Sequence, residues 1–346
     1  MPCITSRRWW WMRSAPRSAE RGAGRLDIAA RVAGITEEAE RIRSFELVSA
    51  EGGELPPFTA GAHVVVKLPN GLARQYSLVS DPEDRAHYVI AVLREAEGRG
   101  GSRFMHDDLR VGDHLVLTPP VNRFPLAEQG RRHLLIAGGI GITPLLAMAR
   151  RLERLSADYM LVYCARRPAD TAFRHILTAA PFAAHLRFVH DEGNPARGLD
   201  IARVLAAEPE DTHVYCCGPA GMLRAFKAAT AAAGWPDDQV HSEAFAADTQ
   251  SPGVVADNRA FTVIAARSGT RILVPPEESV LAALLRHGID VPRLCEQGYC
   301  GSCLTRVLSG CPDHRDTVLS DAEKAANDYM TLCCSRALSD VLILDL

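Results

Sequence analysis

The chain has no apolar run of the ~18 residues that a membrane-spanning helix needs, so no membrane partner is expected. It has no excess of positive charge. Its 39 basic and 42 acidic residues leave a net charge of −3, which excludes the electrostatic footprint of a nucleic-acid binder. Cysteine is sparse, with ten residues in 346. That is too few for a disulfide framework and fits a reducing, cytoplasmic setting. Only one C-x2-C hook occurs, Cys300–Cys303, whereas structural zinc sites usually show two. Acid is nearly missing from residues 1–25, where Glu20 faces Arg7, Arg8, Arg13, Arg17, Arg21 and Arg25. The apolar Trp9–Met12 stretch ends at Arg13 and is too short for a signal-peptide core. Residues 1–25 are read as a disordered extension or a misassigned start. The length of 346 residues exceeds one ordinary core and implies two or three domains.

What is present is concentrated near the C-terminus. Cys295, Cys300 and Cys303 stand at C-x4-C-x2-C, with Cys333 thirty positions on. This is the ligand pattern of a plant-type [2Fe–2S] cluster, a one-electron carrier of roughly −400 mV. Gly298 and Gly301 let the loop curl so that N–H groups point at sulfur. Cys334 adjoins Cys333, and spacing alone does not choose between them. Cys311 is off the pattern and is read as a surface residue.

Residues 26–127 show short apolar runs typical of a small antiparallel barrel, punctuated by Pro and Gly. The runs are Leu26–Val32, Ile42–Val48, His63–Leu68, Gln75–Val79, Tyr88–Leu93 and His114–Thr118, with one helix expected over Ser102–Leu109. Arg74, Tyr76 and Ser77 lie on one of these strands. Alternation puts Arg74 and Tyr76 on one face and Ser77 on the other. The turn Gly98-Arg99-Gly100-Gly101-Ser102 feeds the helix and offers free N–H groups to an anion.

Residues 128–248 alternate strand and helix, the mark of a doubly wound parallel sheet. Strands are expected at His133–Ala137, Tyr159–Ala165, His185–His190 and His213–Cys216. Helices are expected at Thr143–Leu155, Thr171–Ala180, Leu199–Ala207 and Ala220–Ala233. The first crossover carries Gly138, Gly139 and Gly141 before Thr143 and Pro144. Pro144 replaces the third glycine of the usual dinucleotide fingerprint. Thr143 is expected to cap the helix and Pro144 to begin it. The last crossover is Cys216-Cys217-Gly218-Pro219. Arg166-Arg167 follows the second strand, where a ribose or its 2′-phosphate would be read.

Residues 249–258 read as a linker broken by Pro252-Gly253. Residues 259–346 hold the cysteines. They are expected to form a hairpin (Phe261–Ala266, Arg271–Val274), a helix (Ser279–His287), a strand (Leu304–Leu308), a short helix (Asp321–Ala326) and a last strand (Val341–Leu344).

The Arg74-x-Tyr76-Ser77 strand, the Gly100-Gly101-Ser102 turn, the Gly-Gly-x-Gly-x-Thr-Pro and Cys-Gly-Pro turns and the terminal Cys-x-Ser-Arg together resemble the ferredoxin–NADP reductase superfamily. The order barrel, α/β domain, ferredoxin resembles its phthalate dioxygenase reductase and vanillate O-demethylase reductase branch, over residues 26–346. That resemblance implies a multidomain chain: a flavin-binding antiparallel β-barrel, a doubly wound α/β nicotinamide domain and an α+β, β-grasp [2Fe–2S] domain. It makes Arg74, Tyr76, Ser77, Gly100, Gly101 and Ser102 flavin contacts. It makes Gly138, Gly139, Gly141, Thr143, Pro144, Cys217, Gly218 and Pro219 the nicotinamide site, with Cys217 and Glu243 near the reacting ring. It also makes Cys333 the fourth ligand, with Cys334 as the x, and Cys216 an inert strand residue.

The implied activity is that of an NADH-dependent iron–sulfur flavoprotein oxidoreductase. NADH reduces a flavin, the flavin reduces the cluster, and the cluster serves a Rieske-type aromatic oxygenase or O-demethylase. FMN is favoured over FAD because no adenine-binding segment is evident, and NADH over NADPH because relatives of this domain order prefer it. Two other readings are a stand-alone oxidoreductase with a non-oxygenase acceptor and a redox-sensing module. His314-Arg315-Asp316 resembles a segment of the same branch, its role either packing the ferredoxin domain or docking an acceptor.

Overall fold

The computed structural model describes residues 27–96, 98, 100–245, 258–293, 296, 298, 301–316 and 318–346. Residues 1–25, most of the expected linker, Cys295 and Cys300 lie outside the described residues. The described chain falls into two compact units, 27–245 and 258–293 with 301–346. No described helix is long and apolar enough to cross a membrane.

The first unit opens with strands β1 (Ile28–Ala39), β2 (Ile42–Ser49), β3 (Ala62–Lys67), β4 (Ala73–Ser77) and β5 (His87–Leu93). Helix α1 (Gly101–Asp107), β6 (His114–Leu117) and the short β7 (Val121–Asn122) follow. The antiparallel order is β4-β3-β6-β1-β2-β5, and a bridge between Leu78 and Ile90 joins the two ends. Closure removes the exposed edges of an open sheet. Period-two alternation sends Phe45, Leu47, Val64, Val66, Leu115 and Leu117 into one core, which Met105 of α1 also joins. Strand β1 runs past the expected Val32 to Ala39. The continuation is polar, with register shifts at Val32/Gly34 and Glu37/Ala39, so no apolar run announces it.

The same unit continues with β8 (Arg132–Gly138), α2 (Ile142–Leu155), β9 (Asp158–Ala165), α3 (Arg174–Leu177) and β10 (Leu186–His190). Then come α4 (Ile201–Leu205), β11 (Thr212–Cys217), α5 (Ala220–Ala232) and β12 (Val240–Glu243). All five strands are parallel in the order β10-β9-β8-β11-β12. Chain direction across the sheet reverses between β8 and β11, so the crevice at their carboxyl ends is the topological switch point. Helix α2 buries Leu145, Met148, Ala149 and Leu152 on one face of the sheet. Leu223 and Phe226 of α5 pack on the other. The α2 cluster also takes in Ala60, Val79, Ala91 and Phe124 from around the barrel, which is why barrel and sheet form one unit.

Two helix expectations are corrected. The helix expected over Thr171–Ala180 shrinks to Arg174–Leu177. Phe173 takes φ 57°, a left-handed turn that ends any helical run, and its ring is buried. The Ala172 N–H is held by the Tyr163 hydroxyl at 3.1 Å. Helix α2 begins at Ile142 with Gly141 at the cap position, so Thr143 is not the cap and Pro144 is not the first helical residue. The Thr143 hydroxyl instead donates to the Ile140 carbonyl at 3.0 Å. Strand β12 was not expected, because His241 and Ser242 interrupt its apolar character.

The second unit contains β13 (Phe261–Ala265), β14 (Thr270–Val274), α6 (Val280–Arg286), β15 (Leu304–Ser309) and β16 (Pro312–Asp313). It ends with α7 (Asp321–Ala326), β17 (Tyr329–Thr331), β18 (Arg336–Ala337) and β19 (Val341–Leu344). The mixed sheet β14-β13-β19-β15-β17 has β13 and β19 parallel at its centre. Helix α6, capped by Ser279 on the Ala282 N–H, lays Val280, Leu281, Ala283 and Leu284 across it. A helix grasped by such a sheet is the expected β-grasp arrangement.

Candidate functional site

Strand β4 and the turn before α1 were separate motifs in the sequence and are neighbours in space. A Cβ placed on Gly101 would stand 2.7 Å from both Cγ and Nε of Arg74. The arginine therefore lies over the glycine turn because no side chain is there. Gly100 has φ 85°, a conformation that favours glycine. Ser102 Oγ accepts the Glu95 N–H at 3.1 Å, which leaves its own proton to donate outward. A guanidinium, glycine N–H groups and a hydroxyl suit a phosphate.

Register places Tyr76 opposite Val64 and Arg74 opposite Val66, with Tyr76 partly buried against the barrel core. Ser77, opposite His63, occupies the other face together with Gln75. His63 Nδ1 and Gln75 Oε1 are buried there without a hydrogen-bond partner among the described residues. Burial, then the nearby Arg123 charge, pushes the His63 imidazole down to about 4. Such orphaned atoms suit the polar edge of a heteroaromatic ring. His63 and Gln75 are thus candidates that the sequence reading missed. Gln75 stood inside the motif itself, but His63 carried no signal.

At the switch point the two glycine crossovers pack backbone to backbone. A Cβ on Gly141 would fall less than 3.0 Å from the Cys217 carbonyl and the Gly218 nitrogen. One on Gly138 would meet Met222 Sδ and Pro219 Cδ, each at 2.7 Å. The structure therefore brings Gly138, Gly141, Cys217, Gly218 and Pro219 together. Register sets Cys217 opposite Ala137 on β8 and opposite Glu243 on β12. Glu243 Oε2 is buried with no hydrogen-bond partner among the described residues, and burial pushes its carboxyl up to about 8. The Cys217 thiol is fully buried and raised well above its usual range by burial and then by Glu243. It is a packing surface rather than a nucleophile. Cys216 points to the opposite face, among Leu134, Val214 and Phe226. Gly139 takes φ 55° at the turn, and Thr143 and Pro144 are buried in the first turn of α2.

At the end of β9, Arg167 is already engaged. Its guanidinium donates twice to Asp170 at 3.0 Å and once to Glu40 at 2.7 Å. Arg166 is exposed and makes no ion pair among the described residues, so it is the cation of the pair left for a 2′-phosphate.

In the C-terminal unit, Cys303 is buried at the head of β15. Leu304 pairs with Thr331 across β15 and β17, which brings Cys303 and the Thr331–Cys333 segment to neighbouring strand ends. The Leu332 N–H donates to the Cys303 carbonyl at 3.4 Å. Gly298 and Gly301 have φ 78° and 67° and Glu296 has φ 53°, so the described part of the loop is built from left-handed turns. Two thiols brought to neighbouring strand ends fit part of the ligand set of a thiolate-held cluster. Cys333 packs partly against the apolar core. Cys334 Sγ contacts Thr331 Oγ1 at 3.2 Å, and a hydrogen bond with Cys333 holds its thiol below the usual range. Cys311 is half-buried rather than on the open surface, and its N–H donates to Ser339 Oγ at 2.9 Å.

Comparison with known proteins agrees with this layout. Residues 263–338 match the 2Fe-2S iron-sulfur cluster binding domain, and residues 135–228 match the oxidoreductase NAD-binding domain. The chain is 49% identical over 308 residues to vanillate O-demethylase oxidoreductase of Pseudomonas sp. (strain HR199 / DSM 7063), covering 89% of this chain and 96% of that one. It is 45% identical to the phthalate 4,5-dioxygenase oxygenase reductase subunit of Pseudomonas putida, covering 90% and 94%. The solved structure of phthalate dioxygenase reductase, described as modular for electron transfer from pyridine nucleotides to [2Fe-2S], superposes with a TM-score of 0.72. It is 41% identical and covers 92% of this chain and 98% of its own. The chain therefore belongs to the family of vanillate O-demethylase oxidoreductases and phthalate dioxygenase reductases.

Proposed function

We propose that the protein is the NADH-dependent reductase component of an aromatic-ring oxygenase or O-demethylase, and that its acceptor is a Rieske-type terminal oxygenase. The observation that carries the reading is the meeting of Gly141 with Cys217 at the switch point, with Glu243 alongside, in a chain that also holds the Cys303 and Cys333 thiols of a β-grasp unit. One part can hold a dinucleotide and the other can hold a one-electron carrier. A flavin, which accepts a hydride and gives up electrons singly, is the chemistry that joins two-electron donors to one-electron acceptors.

The residues bind, orient and exclude water. Arg74 with the Gly100–Ser102 turn holds the flavin phosphate. Tyr76 packs on the ring, and Ser77, His63 and Gln75 face its polar edge. The glycine crossovers seat the nicotinamide against Cys217, whose buried sulfur keeps water from the ring. Glu243 supplies a proton-bearing carboxyl at neutral pH. Cys295, Cys300, Cys303 and Cys333 hold the cluster. FMN fits better than FAD, since no segment of the chain reads as an adenine site. The Arg167–Asp170–Glu40 tie leaves one cation of the pair, Arg166, for a 2′-phosphate, and NADH is preferred, as in reductases of this domain order.

The test is electron delivery to a purified Rieske oxygenase from NADH. Reduction of the oxygenase far faster than that of free flavin or dioxygen is expected. Equal rates with all three would favour a stand-alone oxidoreductase, and no steady NADH turnover with ferricyanide would favour a sensing module. Chromatography of the released flavin separates FMN from FAD.

A further inference from the structure

Asp316 is 3% exposed, yet it bonds to groups that surround the Cys333–Cys334 pair. Its Oδ2 accepts the N–H groups of Val318 and Leu319 at 3.1 and 2.8 Å, which fixes the carboxyl. Its Oδ1 accepts the Ser335 hydroxyl at 3.3 Å. Ser335 Oγ also accepts the Arg315 N–H at 3.2 Å, and its proton is spent on Asp316. The 2.9 Å contact between Thr331 and Ser335 must then run from the Thr331 proton to Ser335 Oγ. Thr331 Oγ1 also lies 3.2 Å from Cys334 Sγ. A continuous line of contacts therefore runs from Cys334 through Thr331 and Ser335 to Asp316. Thr331 and Ser335 are both fully buried, and the Ser335 N–H closes the turn on the Thr331 carbonyl at 3.3 Å.

Cys333 lies inside that closed turn. We infer that Asp316 is a positioning residue for the distant cluster ligand: through Ser335 and Thr331 it fixes the turn that aims Cys333. This rests on the reading that Cys333 completes the cluster's ligand set. It gives the His314-Arg315-Asp316 segment a role in shaping the cluster site.

The experiment compares the full-length parent with Asp316→Ala and Thr331→Val. The second change is nearly isosteric and removes only the hydroxyl in the middle of the line. Readouts are iron content, the electron paramagnetic resonance spectrum of the dithionite-reduced protein, its midpoint potential and the rate of iron loss to a chelator. Partners behind metal ligands typically change metal affinity by about 10–100-fold, so iron loss about tenfold faster is expected in both variants. A shifted spectrum and midpoint potential are expected as well. If both variants keep the parent's spectrum, potential and rate, the inference fails. It fails equally if Asp316→Ala changes them and Thr331→Val does not, since Asp316 would then act on folding alone. A parent without iron would instead refute the cluster reading.

Discussion

Gly141 and Cys217 meet backbone to backbone at the carboxyl ends of β8 and β11, with no room between them for a Cβ. Gly141 has φ −63° and ψ −4°, an ordinary helical conformation. Its glycine is required by space, not by backbone freedom, whereas Gly139, at φ 55°, is required by the turn. Gly141→Ala should drive the two crossovers apart at the proposed nicotinamide seat. Overpacking of this kind costs about 1–3 kcal/mol. Calorimetric titration with NADH should show binding weakened about tenfold or more, while flavin content, set in the barrel, stays at the parent level. Unchanged NADH affinity would remove this contact from the site.

Arg74→Ala tests the other end of the flavin–nicotinamide pair. A charge-assisted contact is worth about 1.5–3 kcal/mol, so flavin affinity should fall by roughly 10–150-fold. Flavin fluorescence in the filtrate after dilution and ultrafiltration measures it. The cluster absorbance, which belongs to the other unit, should not change. Retention of flavin as tight as in the parent would mean that Arg74 does not face the phosphate.

The buried Glu243 carboxyl makes stability depend on pH. Its folded value is pushed up from 4.5 to about 8. Between those values the unfolded chain releases a proton that the folded chain retains. Stability from this group is therefore undiminished below 4.5 and is lost as pH rises toward 8, by at most about 1.4 kcal/mol per pH unit. Glu243→Gln removes the titration. Melting temperatures of parent and variant should diverge in the variant's favour from pH 5 to pH 8 and run parallel above it. On the acid side the sign reverses. His63 and His241 are lowered from 6.5 to about 4, so unfolding takes up protons there and stability falls as pH drops through that window. A parent–variant difference that does not grow with pH would show that Glu243 is not buried in solution.

Much of the fold was legible because its patterns are local. The barrel runs alternate with period two, and the α2 stripe of Leu145, Met148, Ala149 and Leu152 repeats at helical spacing. Capping at Ser320 with Glu323 marks the start of α7 directly. The parts that were not legible depend on distant contacts. Nothing near Phe173 in sequence says that its ring must turn into the α2 core and so break a helix. Strand β12 forms because β11 offers it an edge, not because His241 and Ser242 favour a strand. The same holds for the sites. Motif residues Arg74, Gly141 and Cys217 could be named in advance, but His63 became a candidate only when β3 set it beside Ser77. Asp316 likewise reaches Ser335 across 19 positions that carry no shared motif.

The last prediction separates the two halves of the electron path. Cys303 lies in the C-terminal unit and the proposed NADH and flavin residues lie in the other. A hydroxyl is a poor ligand for iron compared with a thiolate. Cys303→Ser should therefore lose most of its cluster absorbance and iron. Ferricyanide, which can take electrons directly from flavin, should still support NADH oxidation near the parent rate. Reduction of cytochrome c or of the oxygenase, which needs the cluster, should fall by about tenfold or more, the lower range for losing a metal-site partner. Cys334→Ser keeps a hydrogen-bonding group toward Thr331 and should change neither activity. Loss of both activities in Cys303→Ser would mean that the units do not work independently. Loss of iron in Cys334→Ser, with Cys333→Ser intact, would assign the fourth ligand to the other cysteine of the pair.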